Sequence, residues 1–343
     1  MALLDARARA SVSMPEVILP AYGCPDLVAA SVFAGVRPRL VDTAPGQWGY
    51  DLRGLAAALS PSTVAIVAVN LLGIGDQAPE LCEIAASHGV ALIQDSAQHL
   101  PQGFSGGWPG EYVVLSFGRG KPLNLLRGGA LLHPPERTVA LASVEVRSLT
   151  GLKQSPAVRR LESLAFNIAT DARVYGLSRK LMGGSVGRTQ YKPLEALEEG
   201  SPHFRAEVEH ALAGYRHDAG YDAGVWSTAC REWSADGIEP LTCASSHATA
   251  GMLRLRLAML APDRRTRDQI VVALDSRGLG ATGMYGESME KLDGVPGDVA
   301  SQGPFPNADE LAGRLFTLPT HSGVTAQTVQ LTQATLKQLR TGS

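Results

Sequence analysis

The stretch Val90-Ala91-Leu92-Ile93-Gln94-Asp95-Ser96-Ala97-Gln98 decides the fold of this sequence. Its leading apolar residues show no polar alternation, which is typical of a strand that helices cover on both faces. Similar apolar runs lie at Val17–Ala21, Arg39–Val41, Val64–Val69, Val113–Phe117 and Ala130–Leu132. Helical patterns separate several of these runs, at Pro25–Ala34, Leu52–Leu59 and Ala78–His88. The alternation predicts βαβ units, and therefore an α/β fold whose mainly parallel sheet is flanked by helices.

The length of 343 residues exceeds the usual size of a single core, so a large domain with a smaller companion is expected. Residues from Glu136 to Gly200 show a helical pattern. The pattern then changes to that of a small α+β unit, with elements expected at Met252–Leu257, Arg264–Arg277, Leu315–Pro319 and Thr325–Leu339. We therefore predict a large α/β domain over residues 1–205 and a smaller C-terminal α+β domain over residues 206–343.

Composition and charge exclude several classes of protein. A formal net charge of -2 and the lack of a long basic run argue against a surface for nucleic acid or an anionic membrane. No apolar stretch reaches the roughly 18 residues of a membrane span, and residues 1–14 lack the apolar region of a signal peptide. Scattered cysteines without a C-x-x-C pair indicate reduced thiols, at Cys24, Cys82, Cys230 and Cys243. A cytoplasmic protein without a metal site is expected.

Three short motifs match known site patterns by letter but not by context. Gly278–Gly283 fits the dinucleotide pattern G-x-G-x-x-G, yet it follows a helical stretch, so a helix-to-strand turn is the better interpretation. Gly183–Gly187 fits the nucleophile elbow G-x-S-x-G, but no strand precedes it. Gly118–Lys121 is similar to the end of a P-loop, but Leu115 replaces the first glycine and Pro122 replaces the Ser or Thr that binds magnesium.

Two residues whose side chains could bind a cofactor or take part in catalysis follow consecutive predicted strands. Asp95 comes directly after Val90–Ile93, and Lys121 comes five residues after Ser116 at the end of the next strand. Ligands bind at the carboxyl ends of the strands in an open parallel sheet, so both residues are expected at one crevice. Pyridoxal phosphate (PLP) chemistry requires such a pair, because a lysine amine condenses with the cofactor aldehyde and a carboxylate keeps the pyridine nitrogen protonated. Taken singly, Asp95 is explained as well by turn capping and Lys121 by a solvated loop.

Several further pieces of the sequence occur in one order along nearly the whole chain: Val17–Pro25, Leu40–Asp42, Asn70–Gly73, Asp95–Gln98, Ser116–Gly129, Thr317–His321 and Val324–Thr325. Together they resemble the DegT/StrS family of PLP-dependent aminotransferases, which act mainly on keto sugars attached to nucleotides. The resemblance implies the PLP-dependent transferase fold type I. It also implies a homodimer whose active sites are shared between subunits.

The resemblance implies a role for each matching position. Lys121 matches the lysine that binds the cofactor covalently and later moves the substrate proton. Asp95 matches the partner of the ring nitrogen, Gln98 matches the contact on the side of the ring hydroxyl, and Ser116 matches a phosphate ligand. The residue that stacks on the ring comes from the segment with Tyr22 and Cys24, and the choice between these two stays open.

The sequence departs from the family pattern at three places. Relatives begin with a Ser-Gly-Thr or Ser-Gly-Arg turn that binds the phosphate at a helix N-terminus, whereas Met1–Leu4 corresponds to residues just inside that helix. We expect either a longer native chain or weaker phosphate binding, and the intact Lys121 favours the first. Gly187–Tyr191 lies where a partner loop reaches the phosphate but lacks the usual Asn-x-Arg, and neither Arg188, Thr189 nor Tyr191 is assigned individually. Arg119 either supplies phosphate charge or faces solvent.

The leading hypothesis is amino transfer from an amino acid, with glutamate as the expected donor, to a keto sugar that is expected to be nucleotide-linked. One alternative is a non-catalytic or cofactor-impaired family member that acts as a partner subunit. A second alternative is a PLP-dependent sugar dehydratase. Relatives with dehydratase activity carry histidine in place of the lysine, so Lys121 counts against it.

Overall fold

The computed structural model describes residues 1–75, 77–100, 108–144, 147–148, 189–199, 202–215, 223–245, 255–321 and 323–341. The strands are β1 (Glu16–Pro20), β2 (Arg37–Val41), β3 (Thr63–Val69), β4 (Ala91–Asp95), β5 (Tyr112–Ser116), β6 (Gly129–Leu132), β7 (Arg147–Ser148), β8 (Glu198–Glu199), β9 (Glu239–Pro240), β10 (Arg256–Leu260) and β11 (Leu315–Pro319). The α-helices are α1 (Ala2–Arg9), α2 (Asp26–Phe33), α3 (Leu52–Ala58), α4 (Ala78–His88), α5 (Thr138–Ala142), α6 (Pro202–Tyr215), α7 (Ser227–Ser234), α8 (Arg264–Ser276), α9 (Gly297–Ala300), α10 (Pro306–Arg314) and α11 (Ala326–Thr341). Short 3₁₀ helices lie at Pro135–Arg137, Ala223–Trp226 and Met289–Lys291.

The larger sheet has six strands in the order β2-β1-β3-β4-β5-β6. Strands β1 to β5 run parallel, and β6 is antiparallel to β5. The order reverses at β1, because β2 lies on one side of it and β3 on the other. In such a sheet the crevice beyond the carboxyl ends of the strands is the usual place for a ligand.

Apolar residues cover both faces of this sheet. Val17 and Leu19 of β1 point into one buried cluster with α1, whereas Ile18 points into a second cluster with α3 and α4. The same alternation holds in β3, where Val67 and Ile66 lie on opposite faces. Continuous apolar strands are therefore explained by burial on both sides, and the predicted α/β fold with a mainly parallel sheet is confirmed.

Local signals in the sequence account for several helix ends. The side chain of Asp51 accepts hydrogen bonds from Arg53 N and Gly54 N, at 3.1 and 3.3 Å, and so caps α3. Helix α4 ends at Gly89, which has a φ of 65° that glycine adopts without strain. Thr325 Oγ1 accepts a hydrogen bond from Thr328 N at 3.3 Å and so caps α11.

The C-terminal part of the chain contains a second, antiparallel sheet in the order β11-β10-β9. Its own buried cluster includes Trp226, Trp233 and Phe316. Backbone hydrogen bonds join this part to the larger sheet, from Met289 N to Ala21 O at 2.6 Å and from Leu255 N to Leu72 O at 3.1 Å. The C-terminal segment is thereby held close to the carboxyl ends of β1 and β3. The proposed boundary between residues 205 and 206 stays a prediction.

The structure has each of the six strands expected in the first part of the chain, with ends within two residues of the prediction. The Gly278–Gly283 stretch follows α8 as expected, but no strand comes after it, because its Thr282 forms only an isolated bridge with Thr317. Most of the expected helical region 136–200, including the Gly183–Gly187 motif, lies outside the described residues. Among the described residues, no helix is long and apolar enough to cross a membrane, and no cluster of potential metal ligands is found.

Asp42 supplies a helix cap from a distant part of the chain. Its carboxylate accepts hydrogen bonds from Asn307 N at 3.1 Å and Ala308 N at 2.8 Å, in the first turn of α10. We expect Asp42→Ala to lower the free energy of unfolding by about 1–2 kcal/mol, because these amide groups lose their acceptor. Urea unfolding measures the effect. Asp263→Ala, which removes the local cap of α8, gives the scale for loss of one cap, and an Asp42→Ala protein as stable as wild type would contradict the cap's role.

Candidate active site

A cavity of about 700 Å³ opens at the carboxyl ends of the parallel strands. Five of the residues singled out from the sequence line it together: Cys24, Asp95, Gln98, Ser116 and Lys121. They follow β1, β4 and β5, which end at the same edge of the sheet. The volume lies within the range of about 300–1,000 Å³ that small-molecule sites show. The parallel topology therefore gathers side chains that are far apart in the sequence.

Asp95 is held by its neighbours on both sides. Asn70 N donates to Asp95 O at 2.9 Å, and the next residue, Ser96, donates its amide to Val114 O at 2.9 Å. One carboxylate oxygen accepts a hydrogen bond from Ala97 N at 2.9 Å. Burial raises the pKa of Asp95 above its usual value, while the Ala97 amide and the positive charge of Lys121 oppose that rise. The site thus presents an oriented carboxyl group that a cationic ligand atom would stabilise in its ionised form.

A closed loop between β5 and β6 carries Lys121. Phe117 N donates to Gly128 O and Leu125 N donates to Phe117 O, each at 2.9 Å. Inside the loop, Gly120 has a φ of 68°, a left-handed conformation that a larger side chain would strain. This turn directs the half-buried Lys121 into the cavity beside Asp95. Its amine is therefore within the electrostatic reach of the carboxylate on the adjacent strand.

Ser116, the last residue of β5, lies at the base of the same loop. Its hydroxyl oxygen accepts a hydrogen bond from Gly118 N at 3.4 Å, which leaves the hydroxyl proton free to be donated to a ligand. A Cβ added to Gly118 would lie 3.5 Å from Ser116 Oγ and 3.9 Å from Lys121 Cγ. The loop backbone therefore lies directly beside both functional side chains.

The structure separates the two residues that sequence reasoning left open for ring stacking. Cys24 lines the cavity, and burial together with the negative charge of Asp26 raises the pKa of its thiol to about 12. Tyr22 is fully buried and is not among the lining residues. Its ring packs edge-on against Trp48 and Tyr285, with centroid distances of 6.4 and 5.5 Å. Of the two, Cys24 lines the cavity and Tyr22 does not, and a stacking role for either stays a prediction.

Asn70 and Tyr285 also line the cavity, although the sequence did not identify them as site residues. Asn70 follows β3, is 3% exposed, and its side-chain oxygen has no hydrogen-bond partner among the described residues. Tyr285 enters from the C-terminal part of the chain and receives a hydrogen bond from Gln98 Nε2 at 2.8 Å. The position of Asn70 directly after a predicted strand is a local signal from which the sequence could have identified it as a site residue. Nothing local marked Tyr285, because only tertiary packing brings it to the cavity.

The remaining candidates receive no support from the geometry. Arg119 is exposed and does not line the cavity, which favours the solvent-facing interpretation. Arg188 lies outside the described residues, and Thr189 is not among the cavity-lining residues. Tyr191 N donates to Asp293 O at 3.1 Å. The expectation that this loop reaches a partner's phosphate site stays a prediction.

His99 lies beneath the loop that carries Lys121. It is 3% exposed, and both ring nitrogens lack a hydrogen-bond partner among the described residues. Together with Ser96, Phe117 and Pro122 it lines a narrow gap behind the loop. Burial lowers the pKa of His99 to about 4, so the ring is neutral in the folded protein at neutral pH.

The donor set of the cavity fits PLP. It contains a lysine amine able to condense with an aldehyde, a buried carboxyl group able to pair with a protonated ring nitrogen, and a hydroxyl group able to bind phosphate. The unpartnered oxygen of Asn70 shows that the wall of the cavity has spare hydrogen-bonding capacity for a ligand. Fold and donor set together define the class of PLP-dependent transferases of fold type I.

The chain belongs to the DegT/DnrJ/EryC1/StrS aminotransferase family, whose family model matches residues 2–182. The UDP-N-acetyl-3-dehydro-alpha-D-glucosamine 3-aminotransferase of Acidithiobacillus ferrooxidans is 30% identical over 141 residues, which are 40% of this chain and 37% of that protein. The 3-amino-5-hydroxybenzoate synthase of Amycolatopsis mediterranei is 30% identical over 139 residues, which are 40% of this chain and 36% of that protein. The matched stretch thus spans little more than a third of either relative.

Solved structures resemble the chain over almost its whole length. NtdA of Bacillus subtilis, with bound cofactor PMP, has a TM-score of 0.66 and 15% identity, and the match covers 98% of this chain and 71% of that one. At this level of identity the likeness shows the fold. It therefore confirms the α/β architecture of fold type I that the sequence predicts.

The buried His99 predicts a specific pH dependence of stability. The pKa of His99 falls from 6.5 in the unfolded chain to about 4 in the folded protein. The neutral ring therefore contributes its full share to the free energy of unfolding above pH 6.5, and this share is lost as the pH falls toward 4. One pKa unit corresponds to about 1.4 kcal/mol, so the loss is about 3 kcal/mol. Thermal unfolding between these pH values should show a smaller slope in His99→Leu. His88→Leu, at an exposed histidine, is the control, and equal slopes in wild type and His99→Leu would contradict the prediction.

Proposed function

We propose that this protein is a PLP-dependent aminotransferase that transfers an amino group from an amino acid to the ketone of a sugar. The observation that carries the proposal is the meeting of Lys121 and Asp95 in one cavity at the carboxyl ends of adjacent parallel strands. Membership of an aminotransferase family supports it.

Bound PLP supplies an aldehyde that condenses with amines and a ring that accepts the electron pair left when a neighbouring C–H bond is broken. Lys121 would hold the cofactor through its Nζ atom. Its amine would also act as the base that takes up the proton from the substrate carbon and gives it back. A single lysine would thus serve both as anchor and as proton carrier.

Asp95 and Ser116 provide the fixed contacts. The carboxylate of Asp95, with one oxygen already held by Ala97 N, would keep the proton on the ring nitrogen. Ser116 would donate its hydroxyl proton to the phosphate. Cys24, whose thiol stays protonated at neutral pH because its pKa is about 12, would be an apolar contact for the ring.

Within this activity we propose a nucleotide-linked keto sugar as acceptor and glutamate as donor. The Acidithiobacillus ferrooxidans relative, whose name specifies a UDP-linked dehydro sugar, supports the acceptor class. We also propose a cytoplasmic homodimer with shared active sites, on the strength of the family resemblance. Neither the dehydratase nor the non-catalytic alternative is favoured by any contact in the cavity, since Lys121 and Asp95 are both in place.

Lys121→Ala is expected to abolish the visible absorbance that appears when the wild-type protein is mixed with PLP, because no other amine has the same position in the loop. Borohydride reduction of the wild-type mixture, followed by peptide mass spectrometry, should label the peptide that contains Lys121. Lys192 lines the same cavity, so Lys192→Ala is the matched control and should keep the absorbance. Equal colour in Lys121→Ala and wild type, or a label on Lys192, would contradict the assignment.

Adding glutamate to the coloured wild-type protein should remove the visible absorbance and release 2-oxoglutarate, because the amino group leaves the donor. Asp95→Asn is expected to slow this step by at least about 100-fold, since the neutral amide does not keep the ring nitrogen protonated. Stopped-flow absorbance measures the rate. A wild-type protein that stays coloured with glutamate and forms no 2-oxoglutarate would count against glutamate as donor and favour a different amino acid.

A further inference from the structure

Met289 attaches the C-terminal part of the chain to the wall of the cavity. Its amide donates to Ala21 O at 2.6 Å, and its side chain is fully buried. A Cβ added to Gly23 would lie 3.3 Å from the Cε atom of Met289. Gly23 directly precedes Cys24, and Tyr285 precedes Met289 in the same segment; Cys24 and Tyr285 both line the cavity. The attachment of Met289 therefore affects two parts of the cavity wall.

The two neighbours of Met289 are polar residues that are buried with it. Ser288 is fully buried, and Glu290 is 6% exposed. Ser288 Oγ lies 2.9 Å from Glu290 Oε1 and 2.6 Å from the Oδ1 atom of Asp309, which lies in the first turn of α10. The second carboxyl oxygen of Glu290 has no hydrogen-bond partner among the described residues. One hydroxyl group thus lies between two carboxyl groups.

A count of protons shows that these two carboxyl groups are not both ionised. The hydroxyl group of Ser288 has a single proton to donate, so it cannot donate to Glu290 and Asp309 together. If both groups were ionised, one of the two contacts would place lone pairs against each other at hydrogen-bond distance. One carboxyl group therefore holds a proton of its own and donates it to Ser288 Oγ.

The surroundings assign this proton to Glu290. Asp309 is partly exposed and forms an ion pair with Lys291 Nζ at 2.5 Å, which stabilises its negative charge. Burial and the charge of Asp309 raise the pKa of Glu290, while its own amide, Ser288 and Lys291 oppose that rise. The hydrogen bonds therefore run from the carboxyl group of Glu290 to Ser288 Oγ, and from Ser288 Oγ to Asp309.

The environment of Glu290 offers little that would stabilise a negative charge. A Cβ added to Gly303 would lie 3.3 Å from Glu290 Oε1, so the backbone of Gly303 covers the carboxyl group. Lys291 acts on Glu290 but is already paired with Asp309. The other ionisable side chains on the surrounding elements are exposed or bonded elsewhere: Arg264, Glu287, Asp293, Asp298, Glu310, Arg314 and Asp42.

We propose that Glu290, Ser288 and Asp309 form a proton-sharing clamp that holds Met289 against the cavity wall and opens as the pH rises. Loss of the proton from Glu290 leaves two negative carboxylates beside one hydroxyl group in a buried place. One carboxylate then loses its hydrogen bond, and the buried charge favours a conformation in which Glu290 reaches water. The segment that carries Tyr285 and Met289 is loosened as a result.

The sign of the pH dependence follows from the shift of the pKa. The pKa of Glu290 is 4.5 in an unfolded chain and higher in the folded protein. The stabilisation by the clamp is therefore complete below pH 4.5 and is lost as the pH rises through the folded value. Between these two values the equilibrium constant for opening increases about tenfold per pH unit, and above the folded value it levels off.

Hydrogen exchange followed by mass spectrometry measures this opening in the peptide that contains Met289. After correction for the intrinsic effect of pH on exchange, protection in the wild type should fall about tenfold per pH unit above the ordinary pKa of a glutamate and then level off. Glu290→Gln should show no such fall, because its amide stays neutral and can still donate to Ser288. Equal pH dependence in wild type and Glu290→Gln would overturn the proposal.

Glu287→Gln is the matched control for this measurement. Glu287 is an acid of the same segment, but it is partly exposed and pairs with Arg264 at 3.1 Å. Glu287→Gln should therefore follow the wild type at each pH. Loss of the pH dependence in Glu287→Gln would assign the effect to the wrong acid and would also overturn the proposal.

Asp309→Asn separates the shared proton from the effect of burial alone. The asparagine oxygen can still accept the hydrogen bond from Ser288 but carries no negative charge, so Glu290 ionises more easily. The fall in protection should therefore level off at a lower pH in Asp309→Asn than in the wild type. Levelling off at the same pH would show that Asp309 has no part in holding the proton, and would overturn the clamp.

An infrared spectrum of the wild type tests the proposal even if Glu290→Gln fails to fold. Protein with isotope-labelled glutamate side chains should show the shifted carbonyl band of a protonated acid at pH values where exposed glutamates are ionised. The raised pKa of Asp95 does not disturb this band, because aspartate is unlabelled. A spectrum without the band would overturn the proposal. Since no measurement requires PLP, none of these outcomes depends on the proposed function.

Discussion

The parallel pairing of β3, β4 and β5 is the constraint on which the site depends. Asp95 closes β4 with its backbone carbonyl bonded to Asn70 N, and the following amide, Ser96 N, is bonded to Val114 O. These bonds fix the carboxyl group between the ends of its two neighbours. A shift of β4 by one residue would turn Asp95 to the opposite face of the sheet, away from Lys121. The register of the sheet therefore decides whether the Asp95 carboxyl group faces Lys121.

Burial then determines how these groups behave. The cavity raises the pKa of the Asp95 carboxyl and of the Cys24 thiol, because low polarity disfavours their charged forms. A cation placed against Asp95 reverses the first effect, whereas no cation is required for Cys24 to remain a neutral contact. The same environment thus favours a charged partner at one residue and an apolar contact at another, as binding of a protonated aromatic ring requires.

The C-terminal part of the chain completes the cavity. Met289 N bonds to Ala21 O and Leu255 N bonds to Leu72 O, so this part is attached beside the ends of β1 and β3. Tyr285 reaches the site through this attachment and makes its hydrogen bond with Gln98 there. An active site built in this way responds to packing changes that occur far from the reacting atoms.

The sequence by itself predicted the six strands of the larger sheet and several helices, and it singled out Asp95 and Lys121 as candidates, because apolar periodicity and strand-end position are local properties of the chain. It could not decide between Tyr22 and Cys24, since both follow the same strand and only packing against Trp48 removes Tyr22 from the cavity. It also gave no indication of Tyr285, whose partner Gln98 lies far away in the chain. Contacts between distant segments depend on how the parts of the fold pack, and tertiary structure alone decides them.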